Sequence, residues 1–263
     1  VRLFANMMAG HTMLKVFGGF VVALGILFNT GSVNDPSLLP GATSFTTSML
    51  QEGTTTRTSK DIADQFEFIG SQLSAHSGRE QTLFACQTLT RDWTSSLELI
   101  ADIIQNPSFP DAEFTRLQKE RLTSLRRIKD DPTALAERLV SGLFYGATSP
   151  YGHPIFGTEP SLESINKENL VNQFQQYFNP QKATMIVVGD ITIEKVIEEA
   201  ERFLGDWTTN LDLPENEEPD ATPFPYAPNT IYILDKPGAA QSVIRAGHTI
   251  EGRNHPFYYP YTV

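Results

Sequence analysis

Residues 16–28 carry no charged side chain, and this run constrains the fold more than any other segment. It is too short to cross a membrane as a helix, which takes about 20 apolar residues. Lys15 ahead of it resembles the start of a secretion signal, but the run passes into Asn29-Thr30-Gly31-Ser32 without a small-residue cleavage pattern. Gly18 and Gly19 interrupt it. The pattern predicts a buried strand, so neighbouring elements must cover it.

The rest of the chain supplies those neighbours. Residues 1–32 read as strands joined by glycine-containing turns, and residues 33–43 as a loop. A short helix follows over 44–50. Thr58 caps a second helix that shows Ile62, Phe66 and Ile69 on one face and ends at Gly70. Residues 72–75 and 82–89 pair as a hairpin around Ser77-Gly78. A helix from Asp92 aligns Trp93, Leu97, Ile100 and Ile104, and Pro107 stops it. The next, from Asp111, keeps Phe114, Leu117, Arg121, Leu125 and Ile128 in step until Asp130-Asp131-Pro132 breaks it. A shorter helix carries Leu135, Leu139 and Leu143. Asn166 caps another with Leu170, Phe174 and Tyr177, ending at Asn179-Pro180. A strand over 183–188 and a helix over 193–204, with Val196, Ile197, Ala200 and Phe203 inward, complete residues 1–205 as one α+β domain. Residues 206–229 alternate proline with Glu and Asp and read as an acidic linker. Residues 231–235 and 242–247 read as two fresh strands, the beginning of a second domain over 230–263.

The net charge is −11 and Lys and Arg form no long runs, which argues against a nucleic-acid partner. An acidic surface suits a basic peptide, although such surfaces are most often only solvated. Cys86 is the single cysteine, so no internal disulfide or thiolate metal site can form, and its strand-like surroundings predict a buried structural thiol. The histidines are His11, His76, His153, His248 and His255, and none stands four residues from another. No helical ligand pair exists among them. His153 is read as a packing or capping residue of its Gly/Pro loop. A Ser-His-Asp arrangement of Ser44 or Ser48 with His76 has nothing in the sequence to mark either serine as a nucleophile.

Ser44-Phe45-Thr46-Thr47-Ser48-Met49-Leu50-Gln51-Glu52-Gly53-Thr54, with Arg57, resembles the helix that carries the inverted zinc motif His-x-x-Glu-His in the pitrilysin/insulinase/processing-peptidase family. Gly53, Thr54 and Arg57 match the residues that follow that motif. Thr30-Gly31-Ser32-Val33-Asn34-Asp35, Pro150-Tyr151-Gly152-His153-Pro154, Tyr177-Phe178-Asn179-Pro180 and Val187-Val188-Gly189-Asp190 match other family segments in order. Lys236-Pro237-Gly238-Ala239-Ala240-Gln241-Ser242 resembles the opening of the repeated second half.

The resemblance implies an α+β fold: a mixed, mostly antiparallel sheet with helices on one face, then the start of a duplicated domain. It places Ser44, Thr47 and Ser48 where the two histidines and the glutamate would stand. The third ligand position falls near Thr123, Ser124 and Leu125, with Glu120 the nearest acid. Hydroxyls do not hold Zn²⁺, and no carboxylate is left there to activate water. The expectation is therefore a non-catalytic subunit with no catalytic or metal residue of its own, zinc being carried only by a partner subunit of the same family. The resemblance also implies that Ser71, Gln72, Leu73, Ser74 and Ala75 form an edge strand that pairs with extended peptide. Three readings compete: an active zinc peptidase with its motif elsewhere, a structural core subunit, and a stand-alone peptide-binding module. The compartment stays open, a bacterial periplasm or envelope being favoured over cytoplasm or mitochondrion.

Overall fold

The computed structural model describes residues 2–5, 21–146, 148–209, 230–239, 241–248, 252, 255 and 256. Among them, five strands form one sheet: β1 (Arg2–Ala5), β2 (Val21–Phe28), β3 (Ser74–Ser77), β4 (Thr82–Leu89) and β5 (Ala183–Gly189). The order is β1-β5-β2-β4-β3, with β1 parallel to β5 and every other pair antiparallel. This is the expected mixed, mostly antiparallel sheet. The uncharged run supplies its central strand, which begins at Val21; residues 16–20 lie outside the described residues.

Register decides which face is core. Phe28, Ile26 and Leu24 stand opposite Thr82, Phe84 and Cys86 of β4, and opposite Ala183, Met185 and Val187 of β5. All nine are buried. Because side chains alternate along a strand, these form one continuous face. Phe28 lies at its heart, with ring centroids 5.2 Å from Phe178, 6.0 Å from Trp207 and 6.1 Å from Phe84. On the opposite face Leu83 and Val188 are partly exposed.

Eight helices are described: α1 (Ala42–Met49), α2 (Ser59–Phe68), α3 (Trp93–Gln105), α4 (Asp111–Ile128), α5 (Pro132–Tyr145), α6 (Glu159–Ser164), α7 (Lys167–Tyr177) and α8 (Ile193–Leu204). α3 packs on β4, and its stripe Trp93, Leu97, Ile100 and Ile104 is wholly buried. The caps read from sequence are formed. Thr58 accepts from the Asp61 amide while the Asp61 carboxylate accepts from the Thr58 amide, and Asn166 and Asn169 reciprocate in the same way. Asp131, read only as part of the break after α4, also caps α5 ahead of Pro132.

Some expectations shift. α6 falls in a stretch to which the sequence assigns no element; Thr158 and Ser161 cap it reciprocally, a pairing that lacks the usual Glu or Gln at the third position. Ile197, expected inward, is 39% exposed, and Leu139 and Leu143 are 43% and 38% exposed, because the outer side of α8 and α5 lie at the margin of the core. The edge strand is Ser74–Ser77, so Ser71, Gln72 and Leu73 precede it. Residues 231–235 and the described residues of 242–247 form no strand. Ile231, Ile233 and Ile244 are more than four-fifths exposed there, and a β segment without a hydrogen-bonded neighbour gains no ladder. Among the described residues no helix is long and apolar enough to cross a membrane.

Candidate functional site

Six of the eight residues of α1, Thr-Ser-Phe-Thr-Thr-Ser between Ala42 and Met49, favour helix only weakly. Packing and its N-terminus hold it. Phe45 and Met49 are fully buried. Gly41 takes a left-handed φ of 94° at the N-cap, and a Cβ there would lie 2.7 Å from the Gly157 backbone. Having no side chain, Gly41 cannot cap. Asp35 does so instead, accepting from the Gly41 amide at 2.6 Å and the Thr43 amide at 2.7 Å. A carboxylate there also complements the helix dipole. α7 adds a polar tie through Gln173 Nε2, which donates to Thr43 Oγ1 at 2.8 Å.

The spacing of Ser44, Thr47 and Ser48 sets them on one face of α1. Ser44 and Thr47 are buried and Ser48 partly so. Thr47 donates back to the Thr43 carbonyl at 2.8 Å and Ser48 to that of Ser44 at 3.3 Å. These hydroxyls satisfy local backbone acceptors.

Facing them is the guanidinium of Arg121 from α4. Nη2 donates to the Ser44 carbonyl at 2.8 Å and to Ser48 Oγ at 2.7 Å, and Nη1 lies 3.3 Å from Ser44 Oγ. Cζ sits 4.8 Å from the Phe45 ring centroid and 5.9 Å from that of Phe156. Burial pushes the Arg121 guanidinium down to about 10, so it stays charged at neutral pH; the Asp35 carboxylate opposes that shift. Burial pushes the Asp35 carboxyl up to about 6, against the lowering effect of Thr43, Gly41 and Arg121. Among the described residues Arg121 has no carboxylate within salt-bridge distance.

Zinc takes imidazole, thiolate or carboxylate donors. The residues on this face offer hydroxyls and a fixed positive charge, so they do not fit the metal. Among the described residues no three His, Cys, Asp or Glu side chains converge elsewhere. On α4, Thr123 is exposed and donates to the Lys119 carbonyl, Ser124 is exposed, and Leu125 is buried in the core. Glu120 points to solvent and pairs with Arg116 at 2.9 Å. Arg116 also holds Glu52 and Glu113, which raises its pKa.

Other singled-out residues fall into structural places. Arg57 ties the turn after α1 to α3, donating to Asp102 at 2.6 Å and Glu98 at 2.8 Å, and its Nε donates to Gln65. Thr54 bridges to Pro107. His153 is buried, which pushes its pKa down; its Nδ1 has no partner among the described residues, and its carbonyl accepts from Arg79. Cys86 is buried beneath the sheet, which pushes its thiol pKa up. His76 is exposed on β3 and makes no hydrogen bond to Ser44 or Ser48, whose hydroxyls are turned to Arg121 and to the backbone. Of the expected peptide-binding residues, Ser74 and Ala75 are on β3, whose outer edge has no strand neighbour among the described residues. Ser71 donates to the Gln87 carbonyl at 2.7 Å. α1 packs against β3, so the free edge and the Ser44 face share one helix.

Arg121 is the residue that sequence reading placed on a helix stripe without giving it a role. Its signal was present: a cation between Leu117 and Leu125 on an otherwise apolar face.

The chain is a member of the insulinase family, peptidase family M16, whose model matches residues 19–159. A second model, the peptidase M16 inactive domain, matches residues 164–263. An uncharacterized zinc protease of Bacillus subtilis is 28% identical over 199 residues, which cover 74% of this chain and 48% of that one. The mitochondrial-processing peptidase subunit beta of Bos taurus is 26% identical over 81% of this chain and 42% of its own length. A peptidase M16 inactive domain from Pseudomonas fluorescens superposes with a TM-score of 0.71 at 20% identity, covering 82% of this chain and 50% of that one. The chain thus spans about half the length of these relatives.

Proposed function

We propose that this chain is a non-catalytic subunit of a zinc-metallopeptidase-like assembly, one that binds extended peptide and pairs with a zinc-bearing partner of the same family. The observation that carries the reading is the Arg121 guanidinium, hydrogen-bonded to Ser44 and Ser48 on the face where the family motif maps. A cation there opposes metal binding, and no carboxylate on that face can take a proton from water. Zinc belongs to the partner in this reading. Peptide binding rests on β3, an edge strand whose main-chain groups can extend the sheet without any particular side chain. The pairing is supported by kinship to a protein described as a processing-peptidase subunit. The test is co-purification of this chain with an M16 relative that retains His-x-x-Glu-His, followed by sedimentation and peptide cleavage by the pair. Stable association and cleavage only by the pair or the partner support the proposal. Cleavage by this chain alone contradicts it.

A further inference from the structure

The side chain that faces Ser44 and Ser48 is not a neutral plug. Arg121 is only partly buried, and Phe156, 54% exposed, stands beside its guanidinium. Nη2 reaches three acceptors, the Ser44 carbonyl and the Ser44 and Ser48 hydroxyls, whereas Nε makes no hydrogen bond among the described residues and Nη1 reaches only the Ser44 hydroxyl. The nearest anion acting on it, Asp35, spends its oxygens on the Gly41 and Thr43 amides and forms no ion pair with it. A desolvated cation surrounded by neutral oxygens and aromatic rings lacks its strongest kind of partner. That partner is a carboxylate, which a guanidinium binds by charge-assisted, often paired hydrogen bonds.

We infer that the face formed by Arg121, Ser44 and Ser48 receives a carboxylate of an extended peptide lying along β3. The inference rests on the peptide-binding reading above and adds a ligand chemistry to it. Where the family motif would hold a metal, this chain presents a fixed positive charge, and it selects peptides by their acid groups. The carboxylate can come from an Asp or Glu side chain or from a free C-terminus. The chain's net charge of −11 disfavours acidic ligands at long range, so a preference for them must come from a local cation.

The test is fluorescence anisotropy with extended peptides, blocked at both ends, carrying one central Glu or the matching Gln, and a third that is neutral but has a free C-terminus. The Glu peptide should bind about tenfold tighter than its Gln counterpart, as a charged hydrogen bond requires, and added salt should narrow the gap. Arg121→Gln should erase the preference while leaving Gln-peptide affinity in place, and Arg121→Lys should keep part of it. Tight binding of the third peptide alone would assign the site to C-termini; tight binding of the Glu peptide would assign it to side chains. Equal affinity for all three, unchanged in Arg121→Gln, overturns the carboxylate site and leaves peptide binding standing. No binding of any peptide overturns both. The comparison on the unaltered chain decides the matter even if Arg121→Gln does not fold.

Discussion

Arg121 and Asp35 are two opposite charges taken out of water near one helix without forming an ion pair. Each meets neutral hydrogen-bonding groups instead. Removing the guanidinium loses its hydrogen bonds to the Ser44 carbonyl and the Ser48 hydroxyl and its stacking on Phe45. Arg121→Ala should therefore lower stability by about 3 kcal/mol in urea unfolding. Arg121→Met should move the Asp35 carboxyl above its value of about 6, because the nearby positive charge is lost; carboxyl-carbon NMR titration reads this directly. The sign of the pH effect follows from the same group. Asp35 has a folded pKa raised above the unfolded 3.8, so the folded chain holds the extra proton between about pH 4 and 6. Its contribution is full below the unfolded value and is lost as pH rises through about 6. Denaturation across that window should show a falling contribution that Arg121→Met extends to higher pH.

At the scale of elements, α1 and α4 meet through the guanidinium where zinc would cross-link them in a metal-bearing relative. Ligand substitution alone should then fail to rebuild a metal site. Ser44→His, Thr47→Glu, Ser48→His and Ser124→Glu together should leave the chain without tight Zn²⁺ binding while Arg121 remains. Adding Arg121→Leu should bring calorimetric zinc binding into reach. Tight binding before that last change would mean the guanidinium does not block the site. Gly41→Ala should destabilise by about 2 kcal/mol or more in thermal melts, since its φ of 94° and the Gly157 backbone leave no place for a Cβ. The elements were well marked in the sequence wherever a local signal existed. Thr58 and Asn166 announced their helices through caps, and α3 through its stripe, whereas Asp131 was legible only as the break after α4. α6 was hidden because it is only one short turn and a half between prolines and glycines. The register of β3 was legible to within a few residues, because Ser and Ala alternate too weakly to fix it. Arg121 was legible as a position on a stripe, but its role depends on α1 lying opposite, which one sequence does not reveal.

For the whole molecule, β2 at the centre of the sheet ties the uncharged run to fold stability. Phe28→Ala should cost about 4 kcal/mol, a loss larger than any surface change, because three aromatic rings close on that side chain. Residues 231–235 are exposed and form no strand, and the strand read there would need a neighbour to form. The chain covers about half of each relative described above. The most direct test of the central claim is zinc content and peptidase activity of the purified chain, before and after Zn²⁺ is added. The account predicts no stoichiometric zinc and no cleavage in either state. One zinc per chain with chelator-sensitive cleavage would contradict it.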